Sequence, residues 1–66
     1  MRYGLWFEVL GGRFIYATGA NNVRTLKHIA RDYGTRTYIY DHARNVKVWH
    51  RDLEGVEEYD DKTYRY

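Results

Sequence analysis

The sequence predicts a small α+β domain of order β-β-α-β-β: a four-stranded antiparallel sheet, one helix on one face, and an acidic C-terminal tail. Three observations predict it. The stretch from Asn22 to Tyr33 repeats its apolar residues at helical spacing. The segments on either side alternate apolar and polar residues with a period of two. Gly11-Gly12 and the cluster Asp41 to Asn45 stand between paired segments as turn signals. Residues 1–52 form the body and residues 53–66 the tail, which either packs on the sheet or is partly disordered.

The helix carries two faces. At about 100° per residue, Val23, Leu26, Ile29, Ala30 and Tyr33 fall on one side, and Arg24, Lys27, His28 and Arg31 fall opposite. Asn21 or Asn22 caps the start by accepting a backbone N–H. Gly34 stands where a left-handed residue closes a helix. A helix of about twelve residues does not persist alone in water, so its apolar stripe must rest on the sheet.

Arg2 to Leu10 is the first strand and Arg13 to Thr18 the second. A two-residue Gly11-Gly12 loop sets Val9 against Phe14, Phe7 against Tyr16 and Leu5 against Thr18. Leu5, Phe7, Val9, Phe14 and Tyr16 then face the helix. Trp6, Glu8, Leu10, Arg13, Ile15 and Ala17 face away. Thr35 to Asp41 and Val46 to Asp52 are the third and fourth strands, with Asp41 opening a type I turn and Asn45 closing it in the left-handed region. Asp41 opposite Val46 pairs Ile39 with Val48 and Thr37 with His50. Tyr40 with Lys47, Tyr38 with Trp49 and Arg36 with Arg51 then share the outer face. Beyond Asp52, Leu53, Val56 and Tyr59 suggest a short helical turn before an extended end.

The chain has 66 residues and no cysteine, so no disulfide can compensate for a core this small. Eight tyrosines, two tryptophans and two phenylalanines supply the bulk instead. Self-association is the other compensation, and a homo-oligomer is expected. No signal-like apolar region and no membrane-length run occurs, so the expected location is the cytoplasm. The net charge of +2 hides an asymmetry: residues 1–51 carry nine Lys and Arg against three acids, and residues 52–66 carry six acids against Lys62 and Arg65.

The sequence offers no catalytic motif. It lacks serine and cysteine nucleophiles. His28, His42 and His50 do not follow metal-ligand spacing, and the glycines form no phosphate loop. The expectation is a non-catalytic chain without cofactor, metal or small-molecule substrate. Such a chain acts by binding another protein stoichiometrically, as inhibitors carried by phage and mobile elements do. The expected partner-binding residues are Trp6, Tyr38, Tyr40 and Trp49 with Arg36, Lys47 and Arg51, on the sheet face that one helix leaves open. The alternative is single-stranded nucleic acid, its bases stacked on those rings and its phosphates on those cations. The basic helix face Arg24, Lys27, Arg31 offers a second phosphate track. The acidic residues Glu57, Glu58, Asp60 and Asp61 either fold back on the basic body or mimic phosphates toward a partner.

Overall fold

A computed structural model of the chain describes residues 1–60. It contains β1 (Tyr3–Val9), β2 (Arg13–Ala20), α1 (Val23–Ala30), β3 (Thr37–Asp41), β4 (Val46–Arg51) and β5 (Glu57–Tyr59). The strands form one antiparallel sheet in the order β2-β1-β3-β4-β5, and α1 packs on one face. The sheet therefore has five strands where four were expected. No helix among the described residues is long and apolar enough to cross a membrane.

The fifth strand comes from turn chemistry in the segment read as a helical turn. The Asp52 carboxylate accepts the N–H groups of Glu54 and Val56, both at 2.9 Å. The Asp52 N–H donates to the Val56 carbonyl, and Gly55 takes the left-handed conformation at φ 88°. This Asp-centred turn reverses the chain and lays Glu57–Tyr59 along Arg51–Trp49.

The helix follows its pattern but is shorter. Asn22 caps it by accepting the Thr25 N–H at 2.8 Å. Val23, Leu26 and Ala30 are fully buried, and Ile29 packs at the edge. The helix ends at Ala30. Asp32 and Tyr33 donate to the carbonyls of Ile29 and Ala30 in tighter turns, so the backbone is already leaving the helix before Gly34. Gly34 is not left-handed. Tyr33 lies beyond the helix and stacks on Phe7 at 4.6 Å, closing that end of the core.

Both hairpins depart by one residue from the expected pairing, and the faces change as a result. The first turn is Leu10-Gly11-Gly12, three residues, with both glycines at positive φ. It pairs Val9 with Arg13, Glu8 with Phe14, Phe7 with Ile15 and Trp6 with Tyr16. Phe14 and Tyr16 therefore leave the helix face, and Ile15 joins it. Ala17 is an extra residue in β2, a bulge that restores Leu5 opposite Thr18. In the second hairpin, Asp41 pairs with Val46 across a turn whose Asn45 is left-handed at φ 59°. Val48 is then an extra residue in β4, so Ile39 meets Trp49, Tyr38 meets His50 and Thr37 meets Arg51.

The Val48 bulge decides the core. Val48 and Trp49 are consecutive, yet both are buried. Trp49, expected on the open face, is 1% exposed among Leu5, Leu26, Ile39 and their neighbours. A regular strand would have left the largest side chain of β4 in water. Burying a tryptophan outweighs one interrupted ladder position, since a fully buried large apolar side chain is worth about 1.5–3 kcal/mol.

Asp41 anchors the rim of the sheet. Its carboxylate is fully buried and accepts Nε of Arg2 at 3.1 Å and Nη2 at 2.9 Å. It also accepts the N–H groups of Ala43 and Arg44, which shapes the β3–β4 turn. The Arg2 guanidinium holds its carboxyl below the usual carboxylate range; burial opposes this, and the turn N–H groups assist it.

Two outcomes follow from this packing. Trp49→Ala should destabilise the fold by about 3–5 kcal/mol, measured by denaturant unfolding, which would leave much of the population unfolded in water. Asp41→Asn should cost roughly 2 kcal/mol at neutral pH through loss of charge-assisted hydrogen bonds. A carboxyl with a depressed folded-state pKa stabilises the fold above the ordinary aspartate value of about 4, and that stability fades as pH falls further. Urea unfolding from pH 7 downward should therefore show a steeper acid loss for the wild type than for Asp41→Asn.

Candidate interaction face

The face opposite α1 is built on period-two alternation. β1 contributes Gly4, Trp6 and Glu8, and β2 contributes Phe14, Tyr16 and Gly19. β3 contributes Tyr38 and Tyr40, and β4 contributes Lys47 and His50. No element among the described residues covers this face. The expected residues Trp6, Tyr38, Tyr40 and Lys47 are brought together there. Phe14, Tyr16, His42 and His50 join them unexpectedly. The three-residue turn places the two β2 rings, and the Val48 bulge places His50. Neither hydropathy nor β propensity registers a one-residue shift of this kind.

Trp6 is the centre. Its ring is parallel to Tyr38, with centroids 5.5 Å apart and planes 2° from parallel. Tyr16 meets it edge-on at 5.2 Å, and Tyr40 at 6.1 Å. His42 lies 5.7 Å from Trp6 and 5.3 Å from Tyr40. Phe14 leans on Tyr38 at 5.0 Å. The Tyr40 hydroxyl donates to the side-chain carbonyl of Asn45. Each such ring pair adds roughly 0.5–1.5 kcal/mol beyond area burial, so the layer is ordered in advance of any partner.

Two glycines form the floor of the layer. Gly4 and Gly19 pair across β1 and β2. A Cβ on Gly4 would sit 2.5 Å from Cζ3 of Trp6, and one on Gly19 would sit 2.7 Å from the Tyr16 hydroxyl. The rings lie down over these positions because nothing stands there.

The charges near this face are mostly neutralised within the chain. Arg36 is 3.4 Å from Glu8. His50 Nδ1 is 2.8 Å from Asp60, and its Nε2 is 3.9 Å from Glu58. The Lys47 ammonium sits 5.3 Å over the Tyr38 ring. Burial and the neighbouring Tyr40 push the Tyr38 phenol above its ordinary value. Phe14, Arg36, Tyr38, Lys47, His50 and Arg51 line an open cleft of about 220 Å³ at one end of the face.

Two of the expected interface residues leave the middle of this face, Trp49 entirely and Arg51 except where it borders the cleft. Trp49 is in the core, because the Val48 bulge turned it inward. Arg51 follows the same shift. It pairs with Thr37, and its guanidinium donates to the Tyr33 carbonyl at 3.2 Å.

The basic helix stripe is also engaged. Arg31 makes a two-pronged pair with Glu57 at 2.7 and 2.8 Å. That pair holds the Glu57 carboxyl below its usual range. The Lys27 ammonium donates to the Tyr59 hydroxyl at 2.8 Å. Arg24 is exposed. β5 thus brings Glu57 and Tyr59 to the helix side and Glu58 to the open side, while Asp61 lies outside the described residues. Among the described residues, no three or more His, Asp or Glu side chains group to hold a metal ion.

Gly4→Ala tests the floor. The new methyl group should lift Trp6 from Tyr38 at a cost of about 1–3 kcal/mol. Tryptophan emission should shift to the red while Trp49 stays buried. An unchanged spectrum and melting curve would show that the ring does not rest on Gly4.

No family model matches the chain, and no curated protein or solved structure matches it either.

Proposed function

We propose that the chain is a non-catalytic protein-binding module acting by stoichiometric association through the open aromatic face. One observation carries this reading: Trp6, Phe14, Tyr16, Tyr38 and Tyr40 form a continuous, self-ordered layer that no described element covers. Tyrosine and tryptophan are the side chains that concentrate binding energy at protein interfaces, and pre-ordered rings lose little entropy on association. The charge arrangement supports a protein over a polyanion. Arg36 is matched by Glu8, His50 by Asp60, and Arg31 by Glu57. A phosphate backbone would have to displace these partners.

The cleft supports a second reading. Lys47 and Arg36 beside the Phe14 and Tyr38 rings suit a single-stranded nucleic acid, with a base on a ring and a phosphate on the cations. Salt separates the two: polyanion binding falls steeply with ionic strength, and an aromatic protein interface responds little.

A photo-crosslinking amino acid at Tyr40 should capture a protein from nuclease-treated cell extract, and the same label at Arg24 should not. Tyr38→Ala should then weaken the captured association by about 2 kcal/mol or more, read at a temperature where the variant, which loses its ring contacts with Trp6 and Phe14, is still folded. Equal capture from both positions would move the interface off this face. Capture that vanishes with nuclease treatment, and that in untreated extract falls steeply as salt rises, would replace the protein reading with the nucleic-acid one.

A further inference from the structure

The two edges of the sheet differ. β5 is three residues long and carries Glu57 and Glu58, and short charged edges resist pairing. β2 is eight residues long and, among the described residues, pairs only with β1. Its residues Phe14, Ile15 and Tyr16 are 37%, 44% and 56% exposed, with apolar groups on both faces. No backbone hydrogen bond among the described residues runs outward from Arg13 to Tyr16. A row of N–H and C=O groups at strand spacing is satisfied only by water or by another extended backbone.

We propose that β2 pairs antiparallel with β2 of a second copy, with Ile15 on the two-fold axis. This goes beyond the aromatic-face reading and does not rest on it. The register follows from face matching. A two-fold axis normal to the sheet keeps each face continuous, and cross-strand neighbours share a face. Phe14 and Tyr16 lie on the open face, so they must meet Phe14 or Tyr16 of the second copy. Centring on Phe14 would put Arg13 against Ile15 and Tyr16 against Gly12. Centring on Tyr16 would set Ile15 against Ala17 and Phe14 against Thr18, leaving Phe14 without a ring partner and the Ala17 bulge next to the axis. Centring on Ile15 sets Ile15 against Ile15 and Phe14 against Tyr16 on both sides, while Arg13 meets Ala17 and never its own copy. All three exposed apolar residues then find apolar partners, and no like charges are opposed. The joined sheet also fuses the two aromatic layers, since Phe14 touches Tyr38 and Tyr16 touches Trp6 within each protomer.

Sedimentation equilibrium of the full chain should give twice the 8.0 kDa protomer mass. Ile15→Lys and Ile15→Glu should each raise the dissociation constant by about tenfold or more, through like charges directly opposed on the axis. An equimolar mixture of the two should dimerise again. The chain has no cysteine of its own, which allows an independent check of register. Ile15→Cys should form an interchain disulfide under mild oxidation, because directly opposed strand residues lie within bridging distance. Arg13→Cys should not. A wild-type chain that stays at the protomer mass at millimolar concentration overturns the proposal. So does a dimer indifferent to Ile15→Lys, or one in which Arg13→Cys bridges as readily as Ile15→Cys. A dimer lost with Tyr38→Ala but kept with Ile15→Lys would place the contact on the aromatic face instead.

Discussion

An eight-residue helix is about 12 Å long, and five strands at about 4.8 Å spacing span roughly 19 Å. The helix can therefore cover one side of the sheet, and only the middle of it. Everything else in the molecule answers that shortage. The core is concentrated under α1, where Leu5, Leu26, Ile39, Val48 and Trp49 are fully buried. The Val48 bulge lets β4 contribute two consecutive side chains to it. A chain this small gains more from that extra burial than it loses from one irregular ladder position.

The side that no described element covers is stabilised by its own contents. Trp6 lies flat on Tyr38, and Tyr16 and Tyr40 close around it edge-on. Gly4 and Gly19 leave room for the rings to lie down. The rings therefore shield one another and present a firm surface. Such a surface meets a partner without first being ordered, which is where much of the cost of association arises.

The charge polarity of the chain is resolved in the same way. Glu57 and Tyr59 reach Arg31 and Lys27, and Asp60 reaches His50. β5 is thus held by its backbone ladder and by side chains on both faces of the sheet. These surface pairs are individually weak, at about 0–1 kcal/mol. Their effect is on the field: of the cations that the sequence lines up as a phosphate track, Arg31 is matched by the Glu57 carboxylate and Lys27 is held by the Tyr59 hydroxyl, while Arg24 is exposed. The exception among the buried charges is Asp41, whose four hydrogen bonds from Arg2, Ala43 and Arg44 compensate its desolvation.

The sequence alone determined the order of the first five elements, the helix and its buried stripe, an asparagine cap at Asn21 or Asn22, and the Asp41–Asn45 turn with its Asp41–Val46 pairing. Each is a local matter of periodicity or of one side chain bonding to nearby backbone. It also placed Trp6, Tyr38, Tyr40 and Lys47 on one face, because Tyr38 and Tyr40 alternate and Trp6 lies between residues of the opposite set. Tertiary structure decided the length of the glycine turn, the bulges at Ala17 and Val48, and the pairing of Glu57–Tyr59 as a fifth strand. A one-residue shift changes no local propensity, yet it exchanges every side chain between core and solvent. Only packing can choose between such registers, and here it chose the one that hides Trp49 and turns Phe14 and Tyr16 outward beside Trp6 and Tyr38.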